Sequence, residues 1–225
     1  MVLEKAAALL LALLCYLASR EVFRLSGRRV LALPVFVSVL LVLGAYAIWG
    51  RSADAFAGHT QELKFAMELA VVGMAVPLHQ AFRRLGPLLI PMLLGLLAAS
   101  VISVVGVVVA GWLLSVPWSI VAAVVPKAAT MPVALSLVQG DLQHQTIAVA
   151  SVFLTGLFGA LLTPAALRSV NVVDARIHAF ALGVSAHAIG LIRAQADYPE
   201  EMAFAVAGMC GNAVVTAVIC SLMLV

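Results

Sequence analysis

Val124-Val125-Pro126-Lys127-Ala128-Ala129-Thr130-Met131-Pro132-Val133-Ala134 sets a lysine between two prolines, with a helix's worth of apolar sequence on either side. Bringing an ammonium to the centre of a bilayer costs about 2.5–3.5 kcal/mol on insertion scales, so charges at that depth face cavities, partners or ligands. Each proline removes a backbone donor, and Pro132 would also collide with a helical carbonyl one turn back. The stretch predicts a helix that breaks beside a buried cation.

The composition supplies the membrane that this reading assumes. Hydrophobic residues make up 64% of the 225 residues and charged ones 10%, with a mean hydropathy of +1.16, against roughly 45–50% and 25% in soluble domains. The apolar runs reach the about 20 residues that a helix needs to cross, and no alternating ten-residue pattern suggests a barrel. The expected fold is all-α: a polytopic membrane helix bundle of about eight spans, near 3–19, 31–49, 63–82, 87–114, 118–139, 145–167, 175–194 and 201–224. Residues 1–225 read as a single membrane transport domain, with scaffold-like spans over about 3–114 and a broken-helix core over about 118–225. Lys5 ahead of Ala6 to Ala18 has the look of a signal peptide, but a retained first span is expected because further spans follow.

A net charge of +3, spread over loops, gives no nucleic-acid surface. Cys15, Cys210 and Cys220 lie in apolar runs without metal-ligand spacing, so they read as packing residues, and no cofactor or metal is expected. Coupling to protons or sodium stays open. Arg20, Arg24, Arg28 and Arg29 after the first span, and Arg83 and Arg84 after the third, place those loops in the cytoplasm and the N-terminus outside. Eight simple crossings would then leave Arg168 and Arg176 outside, against the rule. No inverted repeat of the kind many transporters carry is visible in the sequence.

A second interruption is expected at Gly183-Val184-Ser185-Ala186-His187-Ala188-Ile189-Gly190, so the discontinuous helices fall near 126–132 and 183–190. Non-helical backbone at membrane depth is tolerated only where protein or a water-filled cavity satisfies it, and both breaks belong inside the bundle. Lys127 suits an anionic ligand, the bland alternative being a cation on a backbone carbonyl or snorkelling to an interface. Thr130 offers a hydroxyl to substrate or to a carbonyl freed by Pro132. His187, beside Ser185, is a ligand or proton relay, or a histidine bonded to a neighbouring helix. Arg193 is an interfacial anchor or a second carboxylate clamp. Glu68 is a proton or cation site or a solvated carboxylate, and Asn212, after Gly208 and Gly211, is chiefly helix-packing glue. Ser185, His187 and Asp197 make no hydrolase triad, for want of an oxyanion site, and no catalytic residue is assigned.

These blocks resemble the LrgB/CidB family of small bacterial membrane proteins, whose plant relatives include the plastid glycolate/glycerate translocator. Val125 to Ala134 is similar to the family's Leu-Pro-Lys-Ser-Val-Thr-Thr-Pro-Ile-Ala signature, and Ala181 to Gly190 to its Gly-Thr-Ala-Ser-His-Ala-Ile-Gly segment. Val76-Pro77-Leu78-His79-Gln80 is similar to its Pro-Leu-Tyr stretch. Ala128, Met131 and His79 replace the family's serine, threonine and tyrosine, which puts its selectivity in doubt here. The resemblance carries over Lys127, Thr130, Pro132, Ser185, His187 and Arg193 as substrate-binding candidates, with Pro126, Asn212, His79 and Glu68 as secondary ones.

What it implies is a secondary transporter of a small monocarboxylate such as pyruvate, glycolate or glycerate, working by alternating access in the bacterial inner membrane. The alternatives are an antiholin-like regulator of an LrgA/CidA-type holin-like partner, affecting murein hydrolase export and lysis, and an oligomeric pore. Expected partners are the carboxylate, membrane lipid, the holin-like protein and further copies of the chain, whose association the small-residue faces Gly156 to Ala160 and Gly208 to Gly211 would serve. The residues favour transport, because a buried cation at a helix break suits a carboxylate. No enzyme activity is expected.

Overall fold

The computed structural model describes residues 2–27, 32–50, 85–138 and 142–224, with scattered positions between 56 and 79. Regular structure among the described residues is entirely helical. Five of these helices are long and apolar enough to cross a membrane, so the chain is a multi-pass membrane protein. The chain divides into two compact units, Met1–Val72 and Gly73–Val225.

In the first unit α1 (Val2–Leu25) packs on α2 (Pro34–Ile48). Pro34 sits in the first turn of α2, where the missing N–H has no helical partner to lose. The helix stops at Gly50, whose positive φ of 64° lets its N–H close on the Ala47 carbonyl at 3.1 Å. Tyr46 is buried edge-on against Trp49 and Phe56, with ring centroids 6.2 and 5.2 Å away. Most of the expected third span, 63–82, lies outside the described residues, and so does Glu68; the described positions within it are helical.

The second unit contains α3 (Leu89–Leu113), α4 (Trp118–Val124), α5 (Met131–Leu137), α6 (Leu142–Ser169), α7 (Ala175–Asp197) and α8 (Met202–Leu224). A 3-10 turn at Val125–Ala128 and two extended residues, Ala129 and Thr130, separate α4 from α5. α7 is interrupted at His187, where φ is 48° and ψ is −129°. Both breaks fall where the sequence predicts them. The second is narrower than expected: Gly183 and Gly190 are helical, and His187 alone carries the irregular backbone.

Each break reverses the chain. Had α7 run straight, His178 and Tyr198, twenty residues apart, would lie about 30 Å from each other. Their ring centroids are instead 5.4 Å apart, and the Tyr198 hydroxyl meets His178 Nδ1 at 3.1 Å. The arms 175–186 and 188–197 therefore fold back as a helical hairpin with His187 at its tip. α4 and α5 do likewise: Ala123 and Val138 share one apolar cluster with Ala148 of α6, and Leu137 packs on the cluster of Val121 and Val125. The tip of this first hairpin is the Lys127–Thr130 segment.

α8 and α3 run past both hairpins. Phe204, Ala205 and Ala207 of α8, with Met92 of α3, pack on Ala179, Leu182 and Ala194 of the second hairpin. Further along, Cys220 of α8 and Val104 of α3 pack on Val121 and Val125 of the first. About half of the apolar stretch of α7 and of α8 is buried, against 22% for α3 and α6, so α3 and α6 keep the larger lipid-facing surface. α3 belongs to the same compact unit as both hairpins.

Small residues make the approach possible. A side chain on Gly183 would strike the Ala205 carbonyl of α8, and one on Gly159 of α6 would strike the Ser185 carbonyl. These contacts are the close backbone packing that membrane helices use for want of a hydrophobic drive between them. Outside the bundle, Asp174 caps α7 by accepting from the Arg176 N–H at 2.9 Å. The Arg176 guanidinium holds the Asp174 carboxyl down to about 2.

The reversals change the reading of sidedness. α3 and α6 each cross once, and the hairpins return to the face they leave, so the base of the first hairpin and the base of the second lie on opposite faces. α3 with the first hairpin, and α6 with the second, are the same helix-hairpin order run in opposite directions, a relation invisible in the sequence. The N-terminal end of α3 and the loop carrying Arg168 and Arg176 lie on one face. The sequence expectation that Arg83 and Arg84 are cytoplasmic would therefore place that loop in the cytoplasm as well, in accord with the positive-inside rule.

Two predictions follow from this packing. Gly183→Ala should destabilise the purified protein by about 1–3 kcal/mol through overpacking, whereas Gly106→Ala, on an open face of α3, should leave the melting temperature unchanged or raised. With the native cysteines replaced by alanine, Leu114→Cys should react with an impermeant maleimide in intact cells, and Val173→Cys only after permeabilisation. Labelling of both from one side would exclude the re-entrant arrangement.

Candidate functional site

The two hairpin tips meet, and one side chain of α8 bonds to both. Asn212, buried near the middle of α8, donates from Nδ2 to the Ala128 carbonyl at 2.6 Å and to the Val184 carbonyl at 3.1 Å. Its Oδ1 accepts from Ser100 of α3 at 2.8 Å, and Thr216 Oγ1 donates to the Ser100 hydroxyl at 3.4 Å. Both carbonyls are products of the breaks. The helical donor for Ala128 would be the amide of residue 132, which is a proline and has none. The donor for Val184 would be the amide of Ala188, beyond the reversal at His187.

Lys127 stands at the first tip, half-buried, and its Nζ donates to Ser103 Oγ of α3 at 3.0 Å. Among the described residues it makes no ion pair. Thr130, 7% exposed, ends the extended pair, and its Oγ1 has no hydrogen-bond partner among the described residues. His187, 4% exposed, forms the second tip, and its Nε2 has none either. The His187 ring faces the backbone at Ala128 and lies within electrostatic range of the Lys127 ammonium. A non-glycine residue held at φ 48° stores strain on the order of 1–3 kcal/mol, which surrounding structure must impose. Thus a cation, a hydroxyl and an imidazole nitrogen gather where two reversed helices meet, and the last two have no hydrogen-bond partner among the described residues.

The other candidates are placed differently. Pro126 is buried in the 3-10 turn, and Pro132 lies in the first turn of α5. Ser185 is engaged with α6: its hydroxyl donates to the Ala181 carbonyl at 2.7 Å, so its contact with Thr163 Oγ1, also 2.7 Å, has Thr163 as donor. Arg193 sits six residues beyond the tip, about 9 Å along the helix axis, in an ion pair of 2.5 Å with Asp197. His79 is helical and exposed, and Glu68 lies outside the described residues.

Sequence reasoning passed over Ser100, Ser103, Thr163 and Thr216. Ser100 and Ser103 are three apart in an otherwise apolar helix, and Asn212 and Thr216 four apart in another. Polar pairs at one-turn spacing share a helix face, and that was the available signal. Among the described residues no group of three His, Cys, Asp or Glu side chains could hold a metal ion.

Two curated relatives are themselves uncharacterised. The chain is 23% identical over 162 residues to the uncharacterized protein YxaC of Bacillus subtilis, covering 72% of this chain and 70% of that one. It is 22% identical over 187 residues to the uncharacterized protein YwbG of the same organism, covering 83% of each. No solved structure matches it significantly. The model of the LrgB-like family matches residues 12–225, nearly the whole sequence including both hairpin tips, and the chain belongs to that family.

Proposed function

We propose that the protein is a carrier of small monocarboxylates in the bacterial inner membrane, with the substrate held between the hairpin tips. The observation that carries this reading is Lys127, a half-buried cation at a helix reversal whose partner among the described residues is the neutral hydroxyl of Ser103. A carboxylate would complete the charge that the described residues leave uncompensated there. Thr130 Oγ1 and His187 Nε2 would take the remaining substrate oxygens, relieving two buried polar groups that each cost about 1–3 kcal/mol when unpaired. Hairpins entering from opposite faces suit alternating access, since each can open the site to its own side. No covalent step is involved, and the protein is not an enzyme on this reading.

The test is uptake of labelled pyruvate into proteoliposomes of the purified protein. Saturable uptake that unlabelled glycolate inhibits is expected, and Lys127→Ala should lower it by about 10- to 100-fold, the worth of one charged hydrogen bond. Equal uptake by both proteins would remove Lys127 from the site. Wild-type protein no better than empty liposomes, together with stoichiometric co-purification of a holin-like protein, would replace the carrier with the regulator.

A further inference from the structure

We infer that Asn212 is the positioning residue of the substrate site: its carboxamide latches the two hairpin tips together and so holds Lys127 and His187 at one locus. The transport consequence rests on the carrier reading above, while the latch itself does not.

The latch follows from donor counting. A re-entrant hairpin leaves the last carbonyls of its first arm without helical donors, and in a membrane interior these groups have no water to turn to. Ala128 and Val184 present one such carbonyl from each hairpin. A primary amide has two N–H groups, and Asn212 assigns one to each. Its oxygen accepts from Ser100, which fixes the amide plane and leaves the NH2 group turned toward the tips. Aspartate has the same shape and no donor; serine has one donor and can serve one tip. Ala128 adjoins Lys127, and Val184 lies three residues before His187, so releasing either carbonyl frees one half of the site. Opening to one face therefore requires breaking one of the two Asn212 bonds while the other holds.

Hydrogen exchange on the purified full-length protein reads the latch directly. Asn212→Asp should speed exchange about tenfold or more in both tip segments, 124–131 and 183–190, the loss expected for about 1.4 kcal/mol of local stability. The middle of α6 should not change. Asn212→Ser, the variant to use should the aspartate protein not fold, should speed exchange in at least one tip segment. Exchange that is unaltered at both tips, or raised only within α8, overturns the latch. In proteoliposomes Asn212→Ser should raise the apparent KM for pyruvate about tenfold with little change in maximal rate, because a smaller fraction of the protein is binding-competent. A lowered maximal rate at unchanged KM would mark a merely structural residue and overturn the assignment. Wild-type protein that moves no pyruvate overturns the carrier reading alone, and the exchange result then decides the latch.

Discussion

A helix that turns back inside a bilayer strands the carbonyl groups at its turn, and this constraint organises the second half of the molecule. Pro132 withholds the donor that Ala128 would have had, and the reversal at His187 does the same for Val184. One asparagine on a straight helix answers both. Remove that answer and two polar groups remain in a medium without water, where each costs several kcal/mol when unpaired. The tips consequently lie at the depth of Asn212, near the midpoint of α8, and opposite Ser100, near the midpoint of α3.

The rest of the packing serves this meeting. α3 and α8 act as rails that each hairpin uses in turn, with Met92 and Phe204 toward one end and Val104 and Cys220 toward the other. Gly183 brings α8, and Gly159 brings α6, close enough for backbone contact with α7. At the base of the second hairpin, His178 satisfies both ring nitrogens, one with the Val172 carbonyl at 2.9 Å and the other with the Tyr198 hydroxyl at 3.1 Å. The arms are thus fastened where they enter, and the bonds that remain to be exchanged are at the tips.

Much of the architecture was legible because its signals are local. Prolines flanking Lys127 announce an end to the helix, and composition alone fixes an all-helical membrane protein. The direction the chain takes after a break is not local. It is decided by contacts such as Ala123 and Val138 with Ala148, or His178 with Tyr198, which no periodicity encodes. The same limit misled the reading of Gly183 and Gly190, whose lack of a side chain signals close backbone approach and not unwinding. It also made Asn212 look like packing glue, since a bridge between two carbonyls from different hairpins has no one-dimensional trace. Arg168 and Arg176 were the clue within the sequence: their apparent violation of the charge rule disappears once the supposed crossing at 118–139 is a hairpin.

On the carrier reading proposed above, Lys127 has a consequence for the electrical behaviour of the protein. Its partner among the described residues, Ser103, is neutral, so the empty tip carries one positive charge at mid-depth, and a bound monocarboxylate cancels it. Moving a unit charge through the full membrane potential is worth about 2.3 kcal/mol per 100 mV. The loaded protein would cross its conformational barrier electrically silent, and the empty protein would return under the influence of the potential. An inside-negative membrane would then draw the vacant cation toward the cytoplasmic face and bias the resting population of the two hairpins.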